Sequence, residues 1–170
     1  NVDGFYLFTD LKPGTYGIEF NVDELPADYA SYLVTKQNSG EDDGKDSDAD
    51  RTTGITHVVT LVSGDENLSL DMGIFLPVTV GDRVWYDLNG NGIQDDGENG
   101  VSGVTVRIYD AATDEPVLDL DNGLPRSATT NADGLYLFDQ LPPGSYYVIF
   151  DLTTLPSGYG VTSSHQGDDD

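Results

Sequence analysis

Apolar residues along this chain recur at every second position. Val104, Val106 and Ile108 alternate with Thr105, Arg107 and Tyr109; Leu135 and Leu137 oppose Tyr136 and Phe138; Tyr146, Val148 and Phe150 oppose Tyr147 and Ile149. A period of two puts alternate side chains on opposite faces of a strand. The same reading predicts strands over Ile55–Leu61 and Leu68–Leu76, and over Val80–Tyr86 and Val101–Tyr109 on either side of a loop. Turn formers separate them: Lys12-Pro13-Gly14, Asp121-Asn122-Gly123, Asp133-Gly134 and Pro142-Pro143-Gly144. No stretch shows a capped 3.6-residue period. Many short strands with frequent turns predict an all-β sandwich, Ig-like in its general plan.

The pattern occurs twice. Residues 1–29 and 131–159 share 14 identities in 29 positions, including Asp3-Gly4, Tyr6-Leu7-Phe8, Leu11, Pro13-Gly14, Tyr16 and Phe20 against Asp133-Gly134, Tyr136-Leu137-Phe138, Leu141, Pro143-Gly144, Tyr146 and Phe150. After a short slip, Val34-Thr35 falls on Val161-Thr162, and Gly40-Glu41-Asp42-Asp43 on Gly167-Asp168-Asp169-Asp170. The period is 130 residues. Residues 1–76 then read as the back part of one repeat and 78–170 as the front part of the next, stiffly joined through the short apolar junction Phe75-Leu76-Pro77-Val78. Two arrangements follow as expectations. Either the polypeptide forms a longer array, or Ile55–Leu76 of one chain completes the 78–170 domain of another, head to tail, by strand addition.

Charge narrows the function classes. Thirty-one acidic residues against seven basic ones give a net charge of −24. Phosphate-rich partners are repelled, so neither nucleic acid nor an anionic membrane surface is an expected partner. No apolar run approaches the roughly 20 residues of a membrane span. With no cysteine there are no disulfides and no thiolate metal sites.

Carboxylates that repel partners can instead gather cations. Residues 87–98 read Asp-Leu-Asn-Gly-Asn-Gly-Ile-Gln-Asp-Asp-Gly-Glu. Asp87, Asn89, Asn91, Asp95 and Glu98 stand at loop positions 1, 3, 5, 9 and 12 of the D-x-[DN]-x-[DN]-G-x5-E pattern. Gly92 stands at the sharp turn, and Ile93 at position 7 would offer its carbonyl. Calcium takes six to eight hard oxygens, which such spacing can aim inward. Asn-Gly turns alone would not require Asp87, Asp95 and Glu98. The flanks read as strands, so the loop sits on a β scaffold. A second acidic stretch holds Glu41, Asp42, Asp43, Asp46, Asp48 and Asp50; the last three alternate and, if extended, share one side. It reads as a second cation site, against the alternative of a solvated charge run. Asp133 could lend a further ligand, although a plain Asp-Gly turn accounts for it better.

Gly81-Asp82-Arg83-Val84-Trp85-Tyr86-Asp87, the loop after it, Gly103-Val104-Thr105-Val106, Asp133–Phe138 and Pro143-Gly144-Ser145-Tyr146 together resemble the B-type repeat of serine-aspartate-repeat surface proteins, the SdrD B-like group. Asp46-Ser47-Asp48-Ala49-Asp50 is similar to that group's acidic stretch. The resemblance covers nearly the whole chain. It implies a prealbumin-like (Cna-B-type) sandwich and two or more Ca²⁺ per repeat, with Asp87, Asn89, Asn91, Ile93, Asp95 and Glu98 among the ligands. It also implies a stalk or spacer on a bacterial cell surface, its partners being neighbouring repeats. Related sandwiches lock themselves with a Lys isopeptide bond. Residues 78–170 contain no Lys, and Arg83 stands where a first-strand Lys would be needed, so no such bond is expected there.

The competing class is a carbohydrate- or peptide-binding adhesion module using Trp85, Tyr86, Tyr109 or Tyr147 as a stacking platform. An enzyme is the least supported reading. The chain has no Cys nucleophile and no Gly-x-Ser-x-Gly elbow, and its two histidines, His57 and His165, are not at equivalent repeat positions.

Overall fold

The computed structural model describes residues 4–39, 42–164 and 166. It is all-β, with nine strands and three single-turn 3-10 helices among the described residues. Contacts divide the chain into two units, Asn1–Leu76 and Pro77–Asp170.

Unit 2 holds β5 (Val78–Arg83), β6 (Thr105–Asp110), β7 (Ser127–Thr129), β8 (Leu135–Leu141) and β9 (Tyr146–Phe150). β5 pairs antiparallel with β8, and β6 lies between β7 and β9 in a second sheet. The alternation predicted from sequence appears in burial: Val106 and Ile108 of β6 are buried, as are Tyr136 and Phe138 of β8. Together with Leu141 they form the core, and Val80, Ala128, Tyr146 and Val148 pack against it. This is the two-layer, Ig-like/prealbumin-like plan, in which each sheet turns one face inward.

Unit 1 holds β1 (Gly14–Tyr16), β2 (Leu33–Val34), β3 (Val59–Leu61) and β4 (Ile74–Phe75), with β1 pairing β3 and β2 pairing β4. Strand Ile55–Leu61 was expected to be longer than β3. The pairing does continue past it, through the isolated bridge Glu19↔Ile55 and the bond from Phe20 N–H to the Gly54 carbonyl at 2.9 Å. Leu68–Leu76 condenses to β4 alone. On the other side of the loop, β5 starts earlier and ends sooner than Val80–Tyr86, because Trp85 leaves the ladder to bridge Gly100.

Phe5–Leu11 and Leu135–Leu141 occupy the same repeat position, but only the second is a strand. β8 is held by β5, with Phe138 opposite Val80 and Leu141 opposite Val78. Phe138 is 2% exposed and Phe8 61%. A buried aromatic truncated to Ala typically costs about 3–5 kcal/mol, whereas an exposed one costs about 0.5 or less. Phe138→Ala should therefore destabilise unit 2 by that larger amount in denaturant unfolding followed by circular dichroism.

Candidate metal centres

The first centre is the loop between β5 and β6. It enters through Trp85, which bridges Gly100, and through the bond from Tyr86 N–H to the Asn99 carbonyl at 2.9 Å, so entry and exit are clamped side by side. Arg83 adds a second clamp: Nη2 donates to the Glu98 carbonyl at 2.7 Å and Nε to the Asp133 carbonyl at 3.0 Å. The closing turn also depends on close backbone approach, since a Cβ on Gly100 would sit 2.0 Å from the Asp133 carbonyl oxygen.

Within this frame the side chains of Asp87, Asn89, Asn91, Asp95 and Glu98 are tied to the loop backbone and to one another by hydrogen bonds. Asp87 Oδ1 accepts from Gly90 N–H at 2.7 Å and Asn91 N–H at 3.2 Å; its Oδ2 accepts from Gly92 N–H at 2.8 Å and Thr162 Oγ1 at 2.6 Å. These donors, Thr162 first, hold the Asp87 carboxyl below the usual aspartate range, so it stays anionic. Asn89 and Asn91 both donate their amide N–H to Asp95 Oδ2, at 2.8 and 2.9 Å. Their carbonyl oxygens accept from Asn91 N–H and Ile93 N–H at 2.9 and 2.8 Å. Glu98 is buried and spans the loop, with Oε1 accepting from Leu88 N–H at 2.8 Å and Oε2 from Asp95 N–H at 3.1 Å. Gly92 takes φ +78, and a Cβ there would meet the Ser163 carbonyl oxygen at 2.4 Å, so the glycine is obligatory. The donor set fits a hard cation: all five side chains carry oxygens, and they are tied into one hydrogen-bonded group. Asp133 is placed nearby through its backbone carbonyl on Arg83, and its N–H is received by Asn131 Oδ1 at 2.9 Å in the Asp-Gly turn.

The second centre lies in unit 1. Asp48 is fully buried. Its Oδ2 accepts from Asp71 N–H at 2.8 Å; its Oδ1 makes no aligned hydrogen bond and lies 3.3 Å from His57 Nδ1. Asp46 Oδ1 is likewise buried without a partner. One ligand atom from each of Asp43, Asp48 and His57 lies within 4.8 Å of the others. Burial, then the charges of Asp48, Asp46 and Asp43, push the Asp71 carboxyl above the usual aspartate range. Orphaned carboxylate oxygens in a low-dielectric setting are costly unless a cation arrives, so this donor set also fits.

The rest of the predicted acidic stretch has other work. Asp50 Oδ1 accepts from Thr52 N–H, Thr53 N–H and Thr53 Oγ1, capping a turn. Asp42 pairs with Lys45 and receives Gly44 N–H. Glu41 lies outside the described residues, as do Asp3, His165 and Asp168-Asp169-Asp170. Sequence reasoning missed His57 and Asp71. The available signal for Asp71 was an acid inside the apolar alternation of Leu68–Leu76.

Of the proposed aromatic platform, Tyr109 and Tyr147 stack on each other across β6 and β9, with centroids 5.4 Å apart, and Tyr86 packs edge-on against Tyr159. Because the folded state holds Asp71 neutral to a higher pH than the unfolded chain does, its ionisation costs stability as pH rises through that raised value. In chelator, Asp71→Asn should raise the melting temperature of unit 1 at neutral pH and remove this pH dependence; in Ca²⁺ the same variant should lower it. Thermal scans at several pH values check both signs.

Among the described residues no helix is long and apolar enough to cross a membrane. The chain is 41% identical over 168 residues to serine-aspartate repeat-containing protein F of Staphylococcus epidermidis, and 39% identical over 168 residues to serine-aspartate repeat-containing protein D of Staphylococcus aureus strain Newman. Each alignment covers 98% of this chain but only 9% and 11% of those proteins. The SdrD B-like domain family matches residues 1–74 and again 78–170. The chain therefore belongs to the SdrD B-like domain family, which it matches twice in tandem.

Proposed function

We propose that these repeats form a calcium-stiffened spacer in a bacterial cell-surface protein, each working beside neighbouring repeats and none acting as an enzyme. The observation that carries this reading is the buried, partnerless oxygens of Asp46 and Asp48 beside Asp43 and His57, with the hydrogen-bonded loop of Asp87, Asn89, Asn91, Asp95 and Glu98 as a second oxygen-rich site. Asp43, Asp46, Asp48 and Asp71, with His57, form the second donor set. Membership of a repeat family and the tandem match support the spacer role. The repeats would stand in a longer array, or pass a strand from one chain to the next.

The physical logic is electrostatic. A chain with 31 acidic and seven basic residues repels itself, and a divalent cation cancels that repulsion where it is densest. A bound ion supplies hard positive charge that gathers oxygens from distant parts of the loop. The protein's part is to hold Asp87 ionised and to keep Glu98 out of water. At ~1 mM free Ca²⁺ and a site affinity near ~0.1 mM, one site adds about 1.4 kcal/mol. Two sites per repeat would be a sizeable share of a small domain's stability.

Thermal unfolding of the 170-residue chain should show a rise of several degrees on adding Ca²⁺. In the Asp87→Ala/Glu98→Ala variant, the part of that rise reported by Trp85 fluorescence should vanish. A Ca²⁺ response unchanged in this variant would assign the loop to turn formation alone.

A further inference from the structure

The two candidate centres differ in the atoms they offer. In the loop of unit 2, the side chains of Asp87, Asn89, Asn91, Asp95 and Glu98 offer only oxygens as ligands. In unit 1 the group whose ligand atoms all lie within 4.8 Å of one another joins two carboxylates, Asp43 and Asp48, to the imidazole of His57. His57 Nδ1 stands 3.3 Å from Asp48 Oδ1, a separation at which both atoms can hold one ion. Asp48 is fully buried and this oxygen receives no hydrogen bond; Asp46 Oδ1 is buried and unpartnered as well.

The carboxylate and the imidazole are both anchored from behind. Asp48 N–H donates to the Asp71 carbonyl at 3.0 Å, Asp71 N–H donates to Asp48 Oδ2 at 2.8 Å, and Gln37 Nε2 donates to the Asp48 carbonyl at 2.5 Å. These bonds occupy Oδ2 and leave the lone pairs of Oδ1 for another partner. Thr56, itself buried, donates its hydroxyl to the His57 carbonyl at 2.8 Å and its N–H to the Ile18 carbonyl at 2.9 Å, fixing the backbone that carries the imidazole. The imidazole side chain is 40% exposed, so an ion from solvent can reach the buried oxygen beside it. Lys45, the basic residue within the acidic stretch, pairs with Asp42.

We infer that the unit 1 centre prefers a borderline divalent transition ion, Zn²⁺, held through His57 Nδ1 and the carboxylates of Asp43 and Asp48. The inference rests on the reading of this cluster as a cation site and assigns its preferred ion. Ca²⁺ is a hard ion that takes oxygen ligands, whereas a neutral imidazole nitrogen suits Zn²⁺. Carboxylates accept either ion, so Ca²⁺ enters the centre when it is alone, and the nitrogen tips the balance when Zn²⁺ is present. The same affinity order places Zn²⁺ above Mn²⁺ for a mixed nitrogen and oxygen site. The oxygen-only loop of unit 2 lacks that nitrogen and keeps the preference for Ca²⁺. The two centres then answer to different ions, and the stiffness of unit 1 follows Zn²⁺ even where Ca²⁺ is plentiful.

Calorimetric titration of Zn²⁺ into the 170-residue chain already saturated with Ca²⁺ tests it, with nitrogen NMR of the imidazole rings on the same sample. The expected result is a Zn²⁺ site about ten-fold or more tighter than the Ca²⁺ site that depends on Asp48, with a shift of the His57 ring nitrogens. His57→Asn, at a half-exposed side chain, should weaken Zn²⁺ about ten-fold or more and leave Ca²⁺ binding nearly unchanged. Asp48→Asn should lose both ions at this centre. Circular dichroism reports whether that buried substitution still folds, and the exposed Asp43→Asn, expected to weaken both ions, takes its place if it does not. Zn²⁺ no tighter than Ca²⁺, Zn²⁺ binding unchanged in His57→Asn, or unmoved His57 ring nitrogens would each overturn the inference. Ca²⁺ binding that depends on Asp48 would in that case leave the cation site standing, whereas binding of neither ion there would remove both readings.

Discussion

The core of unit 2 depends on one strand pairing: β5 holds β8, so that Phe138 lies opposite Val80 and is 2% exposed. Burial of a large apolar side chain is worth about 1.5–3 kcal/mol, but a strand obtains it only when its neighbour fixes the pleat and closes the sheet. Neighbouring strands, often distant in sequence, are thus the condition on which the sandwich, its core and the placement of its loops depend.

The clamped loop and the acidic cluster are built on that scaffold by different means. The loop is local: twelve residues bend around Gly92, and the Trp85 bridge with the two Arg83 bonds holds their ends together. The cluster is non-local, bringing His57 from one side of β3 and Asp71 from just before β4 against Asp43 and Asp48. The local site keeps Asp87 ionised through donated hydrogen bonds, whereas the non-local one raises Asp71 through burial and like charge. Among the described residues only the second leaves buried carboxylate oxygens without a partner, on Asp46 and Asp48.

The same division explains what could be read from sequence. The alternation over Tyr146–Phe150 and Leu135–Phe138 marked strands because both stay within short segments with a buried face. The loop from Asp87 to Glu98 was legible because its ligands follow one another at fixed spacing. Phe5–Leu11 carries the same pattern as β8 but forms no strand, so alternation alone does not fix pairing. Asp50 looked like Asp46 and Asp48 in the alternating run, yet the turn through Thr52 and Thr53 takes its carboxylate. His57 and Asp71 reach the cluster only through the fold.

A Ca²⁺-binding titration by calorimetry in the 170-residue chain, compared with Asp87→Ala and Asp48→Asn, tests the account's central claim most directly. The account predicts at least two ions per chain, one class lost in Asp87→Ala and a different class lost in Asp48→Asn. No binding in the parent chain, or a stoichiometry untouched by both substitutions, would contradict it.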